Sequence, residues 1–349
     1  MKKVKLAIIG AGSIAYNHGH GIERIEEAEL VAVCDIQKKQ LDSFRKTFQL
    51  NEAHCYTNVD EMLRIEEIDG VIICTPDQCH HADAVKAMKA GKHILCEKPM
   101  SLSLTECKEM VKIGEETGVK FMIGQVCRKA PGFVKAKEMV DRGVIGELFM
   151  VESEYAHDYL IHPGVDNWRM TPERHPIIGG GCHAVDLLRW IAGNPKEVFA
   201  YANHKMLPDW PVNDCVLSIL KFPNDVIGKV MTSIGCKRNY TMRTVLYGSK
   251  GTIITDNTSN TLSLFKEELT EEIEQLESAQ TVELKIPVGV DSHNMAEEIR
   301  DFVTCIVNDA SPDPDGIQGL ITVTVCNAIV RSVESGEKIT IDYQDSFMS

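Results

Sequence analysis

The segment Lys5-Leu-Ala-Ile-Ile-Gly-Ala-Gly-Ser-Ile-Ala15 constrains the fold more than any other stretch of this chain, above all when taken with Asp35 twenty residues on. An apolar run of strand type ends in Gly10-x-Gly12-x-x-Ala15, and a helix is expected to follow. A second apolar run, Leu30–Cys34, then ends at an acid. Gly10 allows a tight turn, Gly12 lets the backbone approach a pyrophosphate, and Ala15 lets the helix pack on the strand. Ser13 and Ile14 open that helix, whose N-terminus attracts phosphate charge. Asp35 stands where a carboxylate accepts hydrogen bonds from an adenosine ribose. Strand, fingerprint, helix and acid in this order point to a dinucleotide-binding unit.

The remainder of residues 1–124 fits that unit. Strands are expected at Val4–Gly10, Leu30–Asp35, Gly70–Thr75, His93–Glu97 and Val119–Gly124, separated by helical patterns such as Ala82–Ala90. Near-continuous apolar strands alternating with helices imply a doubly wound parallel sheet covered on both faces. Ser103-Leu-Thr-Glu106 reads as a capping box opening a helix. From Gln125 the pattern changes. A helix is expected over Phe133–Arg142, a strand over Glu147–Tyr155, and a helix from the glycine-rich Gly179–Gly181 through Trp190. Strand-like runs follow at Glu197–His204, Cys215–Phe222, Val226–Ile234, Arg243–Tyr247 and Thr252–Thr255, joined by turns such as Pro223–Asp225 and Gly248–Gly251. Short turns imply an antiparallel sheet, so residues 125–349 are expected to form an α+β domain. Asn294–Val307 and Gly319–Val333 read as closing helices, and the acidic Glu267–Glu277 as a solvated helix or loop.

Composition narrows the function. A chain of 349 residues is long for one core, and 44% apolar with 25% charged residues is globular. A net charge of −14 argues against nucleic-acid partners. No stretch is expected to approach the ~20 apolar residues of a membrane span. Met1-Lys-Lys-Val-Lys runs straight into the first expected strand, so no signal peptide is expected. Twelve scattered cysteines then read as free thiols in a reducing cytoplasm. Cys79-His80-His81 and Cys182-His183 lack the repeated spacing of a zinc site, so no metal is expected.

The fingerprint, Thr75-Pro76 with His80, and Cys96-Glu97-Lys98-Pro99 together resemble the Gfo/Idh/MocA oxidoreductases, as do Arg128, Gly179-Gly-Gly-Cys-His183-Ala-Val-Asp186-Leu-Leu-Arg-Trp190 and the Ser332–Gly336 region. The resemblance implies an N-terminal Rossmann domain and a C-terminal α+β domain with a large open, mainly antiparallel sheet. It also implies an NAD(P) cofactor, a homodimer or homotetramer formed through that sheet, and a cis Lys98–Pro99 bond. The implied reaction is oxidation of a secondary hydroxyl on a sugar or inositol-like polyol, or reduction of the matching ketone. Cofactor contacts are expected from Gly10, Gly12, Ser13, Ile14, Ala15, Asp35, Ile36, Thr75, Pro76, Asp77 (where relatives commonly carry Asn), His80, Glu97, Lys98 and Gln125. Asp35 would repel a 2′-phosphate and Ile36 supplies no cation, so NAD is expected over NADP.

The reaction needs a base for the hydroxyl proton while hydride leaves. Lys98, at the carboxyl end of a strand, is placed to hydrogen-bond the reacting oxygen. His183 opens a helix whose positive end disfavours imidazolium, and is the expected base. Asp186 and Arg189 read as its orienting partners or as a structural ion pair. Many relatives carry Asp four residues before this histidine; here the position is Gly179, so either Lys98 and His183 suffice or another acid or His175 takes the place of the missing carboxylate. Substrate contacts are expected from Lys98, Arg128, Tyr155, His157, Trp168, Arg169, Cys182 and His183, with Tyr159, His162, Asp166 and Arg174 in the same polar segment. Arg128 is open between substrate and an acidic neighbour, while His80, though named among the cofactor contacts, and His18 and His20 on the first helix read as structural. Two other readings stand beside the dehydrogenase: an NAD-dependent glycosidase using transient oxidation, and a non-catalytic NAD-responsive binding protein.

Overall fold

The computed structural model describes residues 3–160, 164–267, 281–291 and 293–343. The chain forms two compact units. The first takes Met1–Val126 and Asn294–Thr324 with the segment from Tyr343; the second takes Cys127–His293 and Val325–Asp342. The two closing helices therefore do not both stay with the second domain, as a single boundary after Gly124 implies. Met295, Ile299, Phe302 and Val303 complete one core of the first unit, and Leu320 and Val323 complete the other.

The first unit is built on six parallel strands: β1 (Val4–Ile9), β2 (Ala28–Cys34), β3 (Cys55–Tyr56), β4 (Gly70–Ile73), β5 (His93–Glu97) and β6 (Phe121–Gly124), in the order β3-β2-β1-β4-β5-β6. Five of the six are the expected strands; β3, two residues long, carries no periodicity of its own. The order reverses between β1 and β4, and open α/β sheets bind ligands at the carboxyl ends of strands at such a point. Gly10 closes β1 there with φ +92°, and a Cβ would lie 2.7 Å from Cys74 C and Thr75 N, so no side chain fits. The expected capping box is half made. The Ser103 hydroxyl accepts from Glu106 N–H, but the Glu106 carboxylate turns to the Ser101 hydroxyl.

The second unit contains a nine-stranded sheet: β7 (Leu148–Ala156), β8 (Glu197–Asn203), β9 (Cys215–Lys221), β10 (Ile227–Ser233), β11 (Thr241–Gly248), β12 (Gly251–Asp256), β13 (Thr261–Glu267), β14 (Thr281–Pro287) and β15 (Ile339–Thr340). Their order is β14-β13-β12-β11-β7-β10-β9-β8-β15, antiparallel except for β7 beside β10. The helices Pro131–Asp141 and Cys182–Ala192 pack on it. Along β9, Val216, Ser218 and Leu220 are buried while Leu217 and Ile219 face outward; Phe149, Tyr201 and Ile227 are further exposed apolar side chains of this sheet. Strands β13 to β15 were not expected. The acidic run expected to be a solvated helix or loop falls outside the described residues from 268 to 277.

One expectation is corrected. The helix Gly316–Ser335, twenty residues, is long and apolar enough to cross a membrane by length and composition. Two thirds of it is buried, with Leu320 and Val323 in the core, as in the core helix of a globular protein.

Candidate active site

In the first unit the helix Ser13–Glu23 begins after Gly12 with no side chain capping its N-terminus. Ala15 N–H donates to Gly12 O at 3.0 Å, no side chain takes the N–H groups before it, and a Cβ on Gly12 would meet nothing within 4 Å, which leaves that end of the helix open to an outside acceptor. Ser13 is exposed, Ile14 half-buried and Ala15 buried. Asp35 clasps this turn: Oδ2 accepts from Ala11 N–H and Oδ1 from Gln37 N–H, both at 2.7 Å. Each carboxylate oxygen keeps a second lone pair for a ribose hydroxyl. Ile36, 84% exposed, lies beside it. An uncapped helix terminus over a steric gap, with a carboxylate at the end of the next strand, fits a dinucleotide.

The ends of β4 and β5 meet nearby. Thr75 Oγ1 donates to Asp83 Oδ2 at 2.8 Å. Burial raises the Asp83 carboxyl above its ordinary range, against the opposing effect of that hydrogen bond. Asp77 and Gln125 are buried. His80 holds two segments together, with Nδ1 2.8 Å from Pro99 O and Nε2 3.0 Å from Thr75 O. The Lys98–Pro99 bond is cis. Glu97 is buried, with Oε1 2.8 Å from His18 Nε2 and Oε2 accepting from Lys98 N–H at 3.2 Å. Burial opposes ionisation of Glu97, but the His18 hydrogen bond and the neighbouring Lys98 and His80 prevail and hold its carboxyl well below the usual range. Lys98 itself is half-buried. His20 pairs with Glu23 on the surface, away from this cluster.

In the second unit His183 is the second residue of the helix Cys182–Ala192 and is 2% exposed. Its ring lies 6.0 Å from that of His293. His293 stacks on Tyr240 at 5.5 Å, and the Tyr240 hydroxyl is 3.4 Å from His293 Nε2. Tyr240 also packs on Tyr155 and His157, at 5.6 and 5.0 Å. The Tyr155 and Tyr159 hydroxyls are 2.8 Å apart. Burial pushes the Tyr155 and Tyr240 phenols well above their ordinary range, so both remain hydroxyl donors. Trp168 lies against two guanidinium groups, with Arg169 Cζ 4.3 Å and Arg174 Cζ 5.0 Å from its ring centroid. The Cys182 thiol, fully buried, points to Gly180 O at 3.9 Å. This wall of rings and hydroxyls gathers Tyr155, His157, Trp168, Arg169, Cys182 and His183. Tyr240, His293 and Trp210 join it without any sequence motif to mark them.

Three further groups named from the sequence take their places here. Arg128 meets an acidic neighbour: Nε and Nη2 donate to the two oxygens of Asp186 at 2.7 and 2.8 Å, and Arg189 Nη1 adds a 3.5 Å contact. Asp186 is therefore the anchor of a buried ion pair. The space at Gly179 belongs to Arg174, whose Nη2 donates to Gly179 O at 3.2 Å. His175, half-buried at the start of the helix Pro176–Gly179, has its pKa lowered by burial. His162 lies outside the described residues.

Comparison with known proteins follows the same division. Residues 4–125 match a family model described as an oxidoreductase family with an NAD-binding Rossmann fold, and residues 133–254 match the GFO/IDH/MocA C-terminal domain. The chain is 27% identical to inositol 2-dehydrogenase of Rhizobium meliloti, over 97% of this chain and 99% of that one. It is 23% identical to myo-inositol 2-dehydrogenase of Thermotoga maritima, over the same shares. A solved structure of levoglucosan dehydrogenase with NADH and levoglucosan superposes with a TM-score of 0.85, at 20% identity, covering 97% of this chain and all of that one. With both domain models matched in sequence order over folds of the matching kind, this protein belongs to the GFO/IDH/MocA family and is an oxidoreductase with an NAD-binding Rossmann fold.

Proposed function

We propose that the protein is an NAD-dependent dehydrogenase that oxidises a secondary hydroxyl of a sugar or polyol, or reduces the matching ketone. The observation that carries this reading is Glu97-Lys98-Pro99 at the carboxyl end of β5, in the same unit as the uncapped fingerprint helix and Asp35. Two full-length relatives named as inositol 2-dehydrogenases support the substrate class.

Bound NAD would supply the hydride acceptor. Gly10, Gly12, Ser13, Ile14 and Ala15 would hold its pyrophosphate and Asp35 its adenosine ribose, with Ile36 against the adenine. Thr75, Pro76, Asp77, His80, Glu97 and Gln125 would line the nicotinamide end. Lys98 would hydrogen-bond the reacting oxygen and stabilise developing alkoxide charge. His183 would take the hydroxyl proton, its neutral form favoured by the helix N-terminus. Tyr155, His157, Trp168 and Arg169 would offer ring faces and donors to a polyhydroxylated ligand. Arg128 would act through Asp186, fixing the helix that carries His183 and Cys182. Asp35 and the uncharged Ile36 favour NAD over NADP. The outward apolar face of the nine-stranded sheet favours pairing with a second copy, and twelve free thiols favour the cytoplasm.

A screen over inositols, aldoses, anhydrosugars and glycosides, read as NADH formed, tests the reading. A dehydrogenase accumulates NADH with at least one of them, and His183→Asn abolishes both that rate and the acidic limb of its pH profile. Glycoside cleavage without net NADH would establish the glycosidase instead. Silence with every substrate and with the matching ketones would leave a binding protein.

A further inference from the structure

The ring wall of the second unit has an end remote from His183. From His183 the rings run through His293, Tyr240, His157 and Tyr159 to Trp210, each centroid within 6.0 Å of the next. Trp210 reaches that end from a loop. Strands β8 and β9 pair up to Asn203 and Cys215, and residues 204–214 connect them. Hairpin connections usually take about two to five residues and lie on the surface. This longer one turns inward, with Leu207, Trp210 and Val212 buried.

Asp214, at the root of the loop, has no exposed surface. Its Oδ2 accepts from the N–H groups of Lys205, Met206 and Leu207 at 2.9, 2.6 and 2.8 Å. Its Oδ1 is buried without a hydrogen bond among the described residues. Trp210 N–H donates to Leu207 O at 3.0 Å, closing the turn that carries the indole. The main chain of Asp214 also leads to the wall: Ile234 N–H donates to Asp214 O at 2.9 Å, and Tyr159 N–H to Ile234 O at 2.8 Å. Tyr159 in turn meets the Tyr155 hydroxyl, and the Tyr155 ring lies so close to Gly180 that a Cβ there would be 2.5 Å from it. Hydrogen bonds to a carboxylate are about twice as strong as those between neutral groups. Without that oxygen three N–H groups lose their acceptor together, and the loop must open to find water.

We propose that this loop is a specificity element of the site that takes the polyol. Trp210 backs Tyr159 and sets how much room the wall leaves, and Asp214 is the positioning residue that holds Trp210 there. The specificity role rests on the function proposed above; the positioning of Trp210 does not.

Fluorine NMR of the full-length protein labelled with 5-fluorotryptophan tests the positioning without substrate. The chain has three tryptophans, and Trp210→Phe identifies the resonance of Trp210. Asp214→Ala should move or broaden that resonance and leave those of Trp168 and Trp190 in place. Asp214→Ser, with a hydroxyl too short to span the three N–H groups, should do the same and serves if Asp214→Ala does not fold. Asp214→Asn keeps one carbonyl oxygen for them and should leave all three resonances in place, although its buried NH2 lowers the melting temperature. Kinetics use myo-inositol, or whichever compound of the screen is turned over faster. Asp214→Ala and Trp210→Ala should each raise its KM at least tenfold, with kcat and KM for NAD within threefold. Asp214→Asn should stay within threefold throughout. Trp210→Ala should also narrow the ratio of kcat/KM between that compound and the next best at least fivefold. A Trp210 resonance unmoved in Asp214→Ala, or moved as far in Asp214→Asn, overturns the positioning role. An unchanged polyol KM in Trp210→Ala, or a KM for NAD that rises with it, overturns the specificity role. If no compound of the screen is turned over, the dehydrogenase reading falls and the specificity role with it, while the resonances still decide Asp214.

Discussion

The guanidinium of Arg174 fills the space that a side chain at Gly179 would need. A Cβ there would lie 2.4 Å from Arg174 Cζ and Nη1. Arg174 is itself buried, so a side chain at position 179 must displace a packed guanidinium. At the position where the resemblance leads to an expected aspartate, this chain lays a cation over bare backbone.

Gly179→Asp should therefore fail to give His183 a carboxylate partner. The new side chain collides with Arg174 first, and overpacking of this kind costs about 1–3 kcal/mol. A lowered melting temperature is expected, with much of the loss recovered in Arg174→Ala/Gly179→Asp and a coupling energy between the two sites. An unchanged melting curve together with a raised acidic limb in the pH–rate profile would show that Arg174 gives way.

Lys98→Met should leave NAD binding within a few-fold of wild type while turnover falls by two or more orders of magnitude, on the order of 3 kcal/mol. Fluorescence titration of NADH and steady-state kinetics separate the two quantities. Turnover near wild type would make Lys98 a scaffold residue.

Asp35 holds the fingerprint turn through Ala11 and Gln37, and in the function proposed above it also meets the ribose. Asp35→Ala should raise KM for NAD about tenfold, roughly 1.4 kcal/mol, and should narrow the ratio of kcat/KM between NAD and NADP. If wild type already uses both cofactors equally, Lys38 or Lys39 holds the phosphate.

Arg128→Met takes away the two short bonds that the buried Asp186 carboxylate receives from this guanidinium, while the longer Arg189 contact stays. Removing one partner of a buried pair costs about 3–5 kcal/mol, while replacing both by apolar residues is often near neutral. Denaturant unfolding should show Arg128→Met far less stable than Arg128→Met/Asp186→Leu. Equal stability of the two would mean that Arg189 suffices.

What the sequence discloses follows from how local each signal is. The turn at Gly10, the acid at Asp35 and the run Glu97-Lys98-Pro99 are contiguous, and strands buried on both faces read as unbroken apolar runs. Strand β13 does alternate, with Leu262 and Leu264 buried, yet seven residues carry too little period to stand apart from a loop. In β14 nearly every residue is at least partly exposed, so burial imposes no pattern on it. Arg174 over Gly179, and Tyr240 with His293 beside His183, are meetings of distant segments that no spacing in the chain encodes. The pairing of Arg128 with Asp186 spans 58 positions, so the sequence could offer both residues but not the bond.

The nucleotide-binding unit is not finished when its sheet is. Leu6, Ile8, Ile72 and Leu95 share a core with Met295, Ile299 and Phe302, residues that follow all but the last strand of the second sheet in the chain. During synthesis the first 126 residues thus leave the ribosome with one side of their sheet undressed, and it stays so until the last helices emerge. Domains that fold as they are made normally close in order from the N-terminus. This one must hold an open apolar surface through most of its own translation, which makes the early fragment a natural client for a holding chaperone and a poor choice for expression by itself.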